Sequence, residues 1–244
     1  MVHDERRGPL SVITLDRPDR RNALDLATLH ELRDAVDAAI ADPAIRVLVL
    51  RGSEGHFCAG ADLTGVEDDD FVQTLSMVLS RLRSARFPTL AAVDGAALGA
   101  GTQLAVACDL RVATDDAQFG IPAGKLGLMV DQWTVQRMVD ACGQGPARAM
   151  LLAADVLSGR RAFELGLVQR LGSPTMGLEW AHHIATLAPL TIVGHKIGLN
   201  QTERLRPDMS PEYRAAFDAA WSSRDLQEGL ASFRERRSPT FRGE

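Results

Sequence analysis

Two short stretches hold the residues best suited to chemistry. Residues 58–62 read Cys-Ala-Gly-Ala-Asp, and residues 98–103 read Leu-Gly-Ala-Gly-Thr-Gln at the head of a nearly all-apolar run. What they offer is main chain rather than side chain. Small residues let a ligand approach the backbone closely, and the first N–H groups of a helix have no internal acceptor. With the helix's partial positive charge behind them, such donors suit an oxygen that is negative or becomes so. Tight packing of glycine between layers is the other account of each turn taken alone. Gln103 sits in the first turns of the same helix. An amide there can orient a ligand or a water but cannot exchange protons near neutral pH.

Other chemistries lack their residues. The glycines of "GAALGAGTQ" do not have dinucleotide-fingerprint spacing, and "GIPAGKLG" has Leu126 where a phosphate loop needs Ser or Thr. His182 and His183 are adjacent, without the spacing of a metal site, and no GxSxG elbow is present. No metal is expected. His56 and Cys58 stand beside the first glycine turn, with loop packing as their simpler role.

The elements that must position these turns follow from hydropathy. "LSVITL" (10–15) and "RVLVLRG" (46–52) read as strands, with a helix from Leu26 to Ala41 between them whose Leu29, Leu32, Val36 and Ile40 share a face. A helix is expected over 71–83, strands over 88–95 and 109–114, and the apolar run after Gly99 as the helix between those strands. The loop 57–66 leads into an acidic run, "EDDD", that reads as a solvated approach to the helix over 71–83. Strand, glycine turn and helix in succession imply a layered α/β fold. From about Trp133 the pattern turns helical, and the helical tail has more apolar surface than it can bury alone. The expected division is a core over 1–190 and a helical region over 191–244.

The chain has 244 residues and a net charge of −5. Its length supports one large core with an extension, and its charge excludes a duplex nucleic-acid surface. All basic residues but Lys125 and Lys196 are arginine. Cys58, Cys108 and Cys142 lack metal or CxxC spacing and read as reduced, buried thiols of a cytoplasmic protein. Neither a targeting segment nor a transmembrane run is expected.

The runs "FCAGADL", "VDGAALGAGTQLAVACDLRVA", "AQFGIPAGKLGL" and "SRDLQEGLASFRERRSPTFRG" resemble the enoyl-CoA hydratase/isomerase (crotonase) superfamily over nearly the whole chain, in the family's order and spacing. The resemblance implies a spiral of ββα units, a C-terminal helical region that builds homotrimers, often paired into hexamers, and a coenzyme A thioester as ligand, with no permanently bound cofactor. It places the two amides that clamp the thioester carbonyl, the oxyanion hole, on Ala61 and Ala100. Ala59, Asp62 and Leu63 line the same wall, fixing its own loop being the simpler role of Asp62; Gly99 joins the coenzyme-binding residues, and Arg21, Ala23 and Leu24 match the segment that meets the adenine and phosphate end of coenzyme A.

The departures from the family are as informative. Its two catalytic glutamates would stand at Gln103 and Ala123. Losing one general acid or base costs roughly 10²–10⁴-fold in rate. The clamp is kept and the proton-transfer pair is missing. "GKLGLMVDQW" and "GPARAMLLAADVLSG" are similar to a mycobacterial subgroup that binds long acyl-CoA esters without hydrating them and serves fatty-acid and mycolic-acid metabolism. The first expectation is therefore an acyl-CoA-binding protein whose apolar tunnel passes Ile121, Leu128 and Trp133. The second is an enzyme on the same scaffold, a weak hydratase, or an isomerase, decarboxylase or thioesterase with Asp131 as acid/base. Asp131 has a competing role as cap of the helix starting near Trp133. A subunit of a lipid-synthesis complex is a third reading, one that leaves both glycine turns unused.

Overall fold

A computed structural model of the chain describes residues 1–63, 69–202 and 211–240; the end of the 57–66 loop and the start of the acidic run lie outside them, as do the ends of the "LTIVGHKIGLNQTERL" and C-terminal runs. The chain begins with β1 (Val2–Arg7), which turns at Gly8 (φ +60°) into β2 (Leu10–Leu15) and pairs with it antiparallel. The sequence reading assigned no strand to the charged N-terminus. Its inner four residues are exposed, and charged side chains along an edge discourage further pairing.

The order continues with α1 (Leu26–Ala41), β3 (Val47–Gly52), α2 (Asp69–Ser84), β4 (Thr89–Val93), β5 (Ala96–Leu98), α3 (Ala100–Ala107) and β6 (Leu110–Ala113). Then come β7 (Gln118–Gly120), α4 (Gln132–Cys142), α5 (Gln144–Leu152), β8 (Val156–Ser158), α6 (Gly159–Glu164), β9 (Arg170–Leu171) and α7 (Pro174–Thr186). Three further helices follow, α8 (Pro189–Thr202), α9 (Pro211–Trp221) and α10 (Arg224–Glu235). The larger sheet runs β1-β2-β3-β4-β6-β9, with every pairing after the first hairpin parallel. Such crossovers need helices on the faces, and β3 and β4 are accordingly near-continuous runs of buried apolar residues. A second sheet runs β5-β7-β8.

By packing, the residues form two compact units, Met1–Phe119 with Leu157–Glu203, and Gly120–Val156 with Arg204–Glu244. This grouping differs from the expected division at residue 190. Helix α8 straddles that position and is tied to the first unit by a buried ion: Lys196 Nζ donates to Phe87 O at 2.9 Å and to Asp109 Oδ2 at 2.7 Å. Asn200 adds a bond from Nδ2 to Arg83 O. In the first unit α7 covers the large sheet, burying Ala181, Ile184 and Ala185 against Leu10, Val12, Val47, Val49 and Leu90. No helix among the described residues is long and apolar enough to cross a membrane.

Candidate functional site

The two glycine turns come together in the first unit. Residues 58–62 run as an extra strand beside β5: Cys58 N donates to Ala96 O and Leu98 N to Cys58 O. Leu24 pairs with Ala61 on the other side, with Leu24 N donating to Gly60 O and Asp62 N to Leu24 O. Successive amides of an extended chain point in opposite directions. Because Asp62 N–H is spent on Leu24, Ala61 N–H faces away from it and finds no acceptor among the described residues.

Ala100 supplies the second amide. It opens α3 after Gly99, an N-cap with φ +52° and no side-chain capping bond, so the Ala100 amide meets no capping side chain. A Cβ at Gly60 (φ +109°) would stand 3.8 Å from Ala100 N, and one at Gly99 would stand 3.9 Å from Gly60 Cα. Two donor-bearing turns thus lie backbone to backbone. Backbone N–H groups without an acceptor call for a ligand or water, and two of them on adjacent turns have the chemistry to bind one oxygen.

Helix α3 is buried along its whole length and is held at both ends. At its C-terminal end the buried Arg111 guanidinium donates to the carbonyls of Ala105 (3.1 Å) and Cys108 (2.7 Å), and also to Leu167 O. That satisfies carbonyls the helix leaves open and sets a positive charge on its negative end. Gln103, only 7% exposed, lies in the first turn, where its backbone N–H closes the first helical bond to Gly99 O at 3.1 Å.

The remaining expected residues divide between the units. Ala59 N donates to Arg21 O, which brings the 21–24 turn against the Ala61 segment together with Leu24 and half-buried Ala23. Arg21 itself is exposed beside exposed Arg20. Leu63, half-buried, ends the described part of the loop. Ala123, Asp131 and Trp133 belong to the second unit. Ala123 lies in a short 3-10 turn, Pro122–Lys125, and its carbonyl accepts from Leu126 N and Leu128 N. Asp131 caps α4: its Oδ1 accepts from Thr134 N at 2.8 Å. Trp133 Nε1 is buried with no hydrogen-bond partner, as is Gln136 Oε1 one turn further along α4.

Sequence reasoning passed over Asn22 and Arg17. Asn22, 1% exposed at φ +58°, accepts from Arg17 N (2.8 Å) and donates to Ser53 O (2.9 Å) and His56 O (2.6 Å). Its amide ties the turn after β2 to the loop after β3. The signal was an asparagine in a Pro- and Arg-rich turn, a residue type that tolerates the left-handed conformation. Arg17 reaches Ala23 O, Asp25 and Asp62 with its guanidinium.

His56 and the cysteines serve packing. His56 Nδ1 accepts from Ala96 N at 3.2 Å, fixing the loop against β5. All three thiols are free and buried. Burial pushes Cys58 and Cys108 up to about 12, against the small opposing effect of the Gly60 carbonyl on Cys58, and it also raises Cys142. A thiol that keeps its proton in the folded state favours folding fully below about pH 8.5, the unfolded value. That contribution fades as pH rises towards 12. Native protein at pH 8 should therefore react with a thiol reagent at a small fraction of the urea-unfolded rate. Labelling of Cys58 at the unfolded rate would contradict its burial.

Among the described residues no group of three or more His, Cys, Asp or Glu side chains is placed to hold a metal ion. The fold and the paired amide turns define an α/β protein of the crotonase type. The family model for enoyl-CoA hydratase/isomerase matches residues 5–244, and the chain belongs to that family. Probable enoyl-CoA hydratase echA6 of Mycobacterium leprae (strain TN) is 40% identical to it over 235 residues, 95% of each chain. The 2,3-dehydroadipyl-CoA hydratase of Escherichia coli (strain K12) is 34% identical over 248 residues, 98% of this chain and 97% of that one. An enoyl-CoA hydratase crystal structure from Mycobacterium avium subsp. paratuberculosis K-10 matches with a TM-score of 0.89 over 99% of this chain and 98% of its own. At 24% identity that likeness shows the fold, which is the crotonase-like α/β fold expected from the motifs.

Proposed function

We propose that this protein binds fatty acyl-CoA thioesters in fatty-acid or related lipid metabolism and does not hydrate them efficiently. The observation that carries the reading is the pair of open amides, Ala61 and Ala100, on adjacent glycine turns beside a buried Gln103. Two N–H donors on one carbonyl oxygen hold and polarise a thioester. Hydration further needs groups that give and take protons, and Gln103 and Ala123 supply none. The exposed Arg20 and Arg21 offer charge to the phosphates of the coenzyme.

The capping bond from Thr134 speaks against Asp131 as an acid or base, since it engages one carboxylate oxygen with the helix. The unpaired cysteines suit a cytoplasmic setting. Assembly into trimers or paired trimers, and contact with lipid-synthesis enzymes, belong to the same reading. Sedimentation of the purified protein checks the assembly.

The deciding experiment incubates the protein with saturated and 2-enoyl-CoA esters of graded chain length, following enoyl absorbance, products and equilibrium binding together. Binding without turnover is the expected result. Rapid conversion of crotonyl-CoA to its 3-hydroxy product would overturn the reading, as would failure to bind any ester.

A further inference from the structure

We propose that Arg17 is a positioning residue for the Ala61 amide, acting as a cationic clip between two carboxylates that would otherwise push the site's two walls apart. One nitrogen, Nη2, lies 3.0 Å from Asp25 Oδ2 and 3.1 Å from Asp62 Oδ2. The other, Nη1, donates to Ala23 O at 2.6 Å. Asp25 and Ala23 belong to the turn that enters α1, whereas Asp62 directly follows Ala61. A single guanidinium therefore spans the Leu24–Ala61 pairing, the contact that aims Ala61 N–H.

The electrostatics decide why a cation is needed there. Asp25 is already committed as N-cap of α1, with Oδ1 accepting from Thr28 N and Thr28 Oγ1, both at 2.7 Å. Asp62 is only 11% exposed and Arg17 21%, so this pair is poorly screened compared with a surface ion pair. With the guanidinium removed, two carboxylates that share one nitrogen face each other across the pairing. Repulsion then acts on the segment whose amide must hold its direction, and the negative charge of Asp62 stands beside the site meant for a polarised oxygen. Removing one partner from a partly buried pair leaves the other charge less compensated, which costs more than removing both.

The inference rests on the proposed binding of an acyl-CoA carbonyl by Ala61, and the test separates the two. The probe is an acyl-CoA ester labelled with carbon-13 at the thioester carbonyl, read by infrared difference spectroscopy and by equilibrium binding. In the parent protein the carbonyl band should shift to lower frequency on binding. A band at the free-ester position sinks the carbonyl-binding reading itself. Arg17→Gln should lower affinity by about tenfold, the size expected for a charge-assisted contact, and move the band back towards its free value. Adding Asp62→Asn to Arg17→Gln should recover most of both. A shifted band that Arg17→Gln leaves in place overturns the clip, and so does a double variant as impaired as the single one. If Arg17→Gln does not fold, Arg17→Lys, which keeps the charge that neutralises both carboxylates, should retain most of the parent's band shift; a Lys variant whose band sits at the free-ester position overturns the clip.

Discussion

Replacing Gly101 with alanine should cost about 3 kcal/mol of stability or more and weaken acyl-CoA binding by about 100-fold. A Cβ there would stand 2.1 Å from Cys58 O, a distance that real Cβ atoms essentially never show, and 3.0 Å from the carbonyl carbon. The obstacle is main chain, so no rotamer change relieves it. Cys58 O accepts from Leu98 N at 3.0 Å, and Cys58 N donates to Ala96 O at 2.7 Å. Moving that carbonyl breaks the ladder to β5, and moving α3 shifts Ala100. Either response separates the two amides. Urea denaturation and calorimetric titration with an acyl-CoA ester check the two effects. Gly145→Ala is the contrast, since a Cβ at Gly145 meets nothing within 4 Å and the residue lies in α5. There alanine should be neutral or add up to about 1 kcal/mol. A Gly101→Ala protein with parent-like stability and affinity would mean that α3 and residues 58–62 are not in this close approach.

Combining Gln103→Glu with Ala123→Glu should raise crotonyl-CoA hydration at least about 100-fold above the parent protein. One positioned acid or base is worth roughly 10²–10⁴-fold, and the proposed function supplies the amide clamp that a hydratase also needs. The single variants should gain much less, because the two groups share the addition of water. Burial at position 103, where Gln103 is 7% exposed, should push the new carboxyl above its ordinary value. The rate should therefore rise with pH through a midpoint above about 4.3. Steady-state kinetics on the soluble double variant, with binding measured alongside, give the answer. A variant that binds the ester yet hydrates no faster than the parent would show that these positions do not flank the bound acyl group.

Acid should weaken the turn that Arg17 closes. Burial raises the Asp25 carboxyl, but the Thr28 hydroxyl and amide, with the Arg17 charge, outweigh it and hold the group below its ordinary value. A carboxylate lowered in the folded state favours folding above its unfolded value, about 3.9, and that contribution is lost as pH falls through the lower folded value. Asp25→Asn should flatten the acid limb of the stability profile measured by thermal unfolding. An unchanged acid limb would remove Asp25 from the account.

Much of this protein was determined by local sequence. The buried strand over Leu10–Leu15 and the helix over Leu26–Ala41 follow from hydropathy periods that few other structures satisfy, and Asp25 caps that helix from its own side chain. The glycine turns and the neutral Gln103 were likewise visible as residue types, as was Asp131 at the head of α4. Other features needed the third dimension. The charged N-terminus became strand β1 only because β2 offers it a partner. The run over 88–95 ends as a strand at Val93, and the chain re-enters a different sheet at Ala96. Gly101 could be read as an open turn until Cys58 O was found against it. Arg17 and Asn22 carry their weight through partners up to 45 positions away, and no local period encodes such contacts. Propensity and hydropathy act over a few neighbouring residues, whereas the direction of the Ala61 amide is set by which distant carbonyls have already claimed the donors beside it.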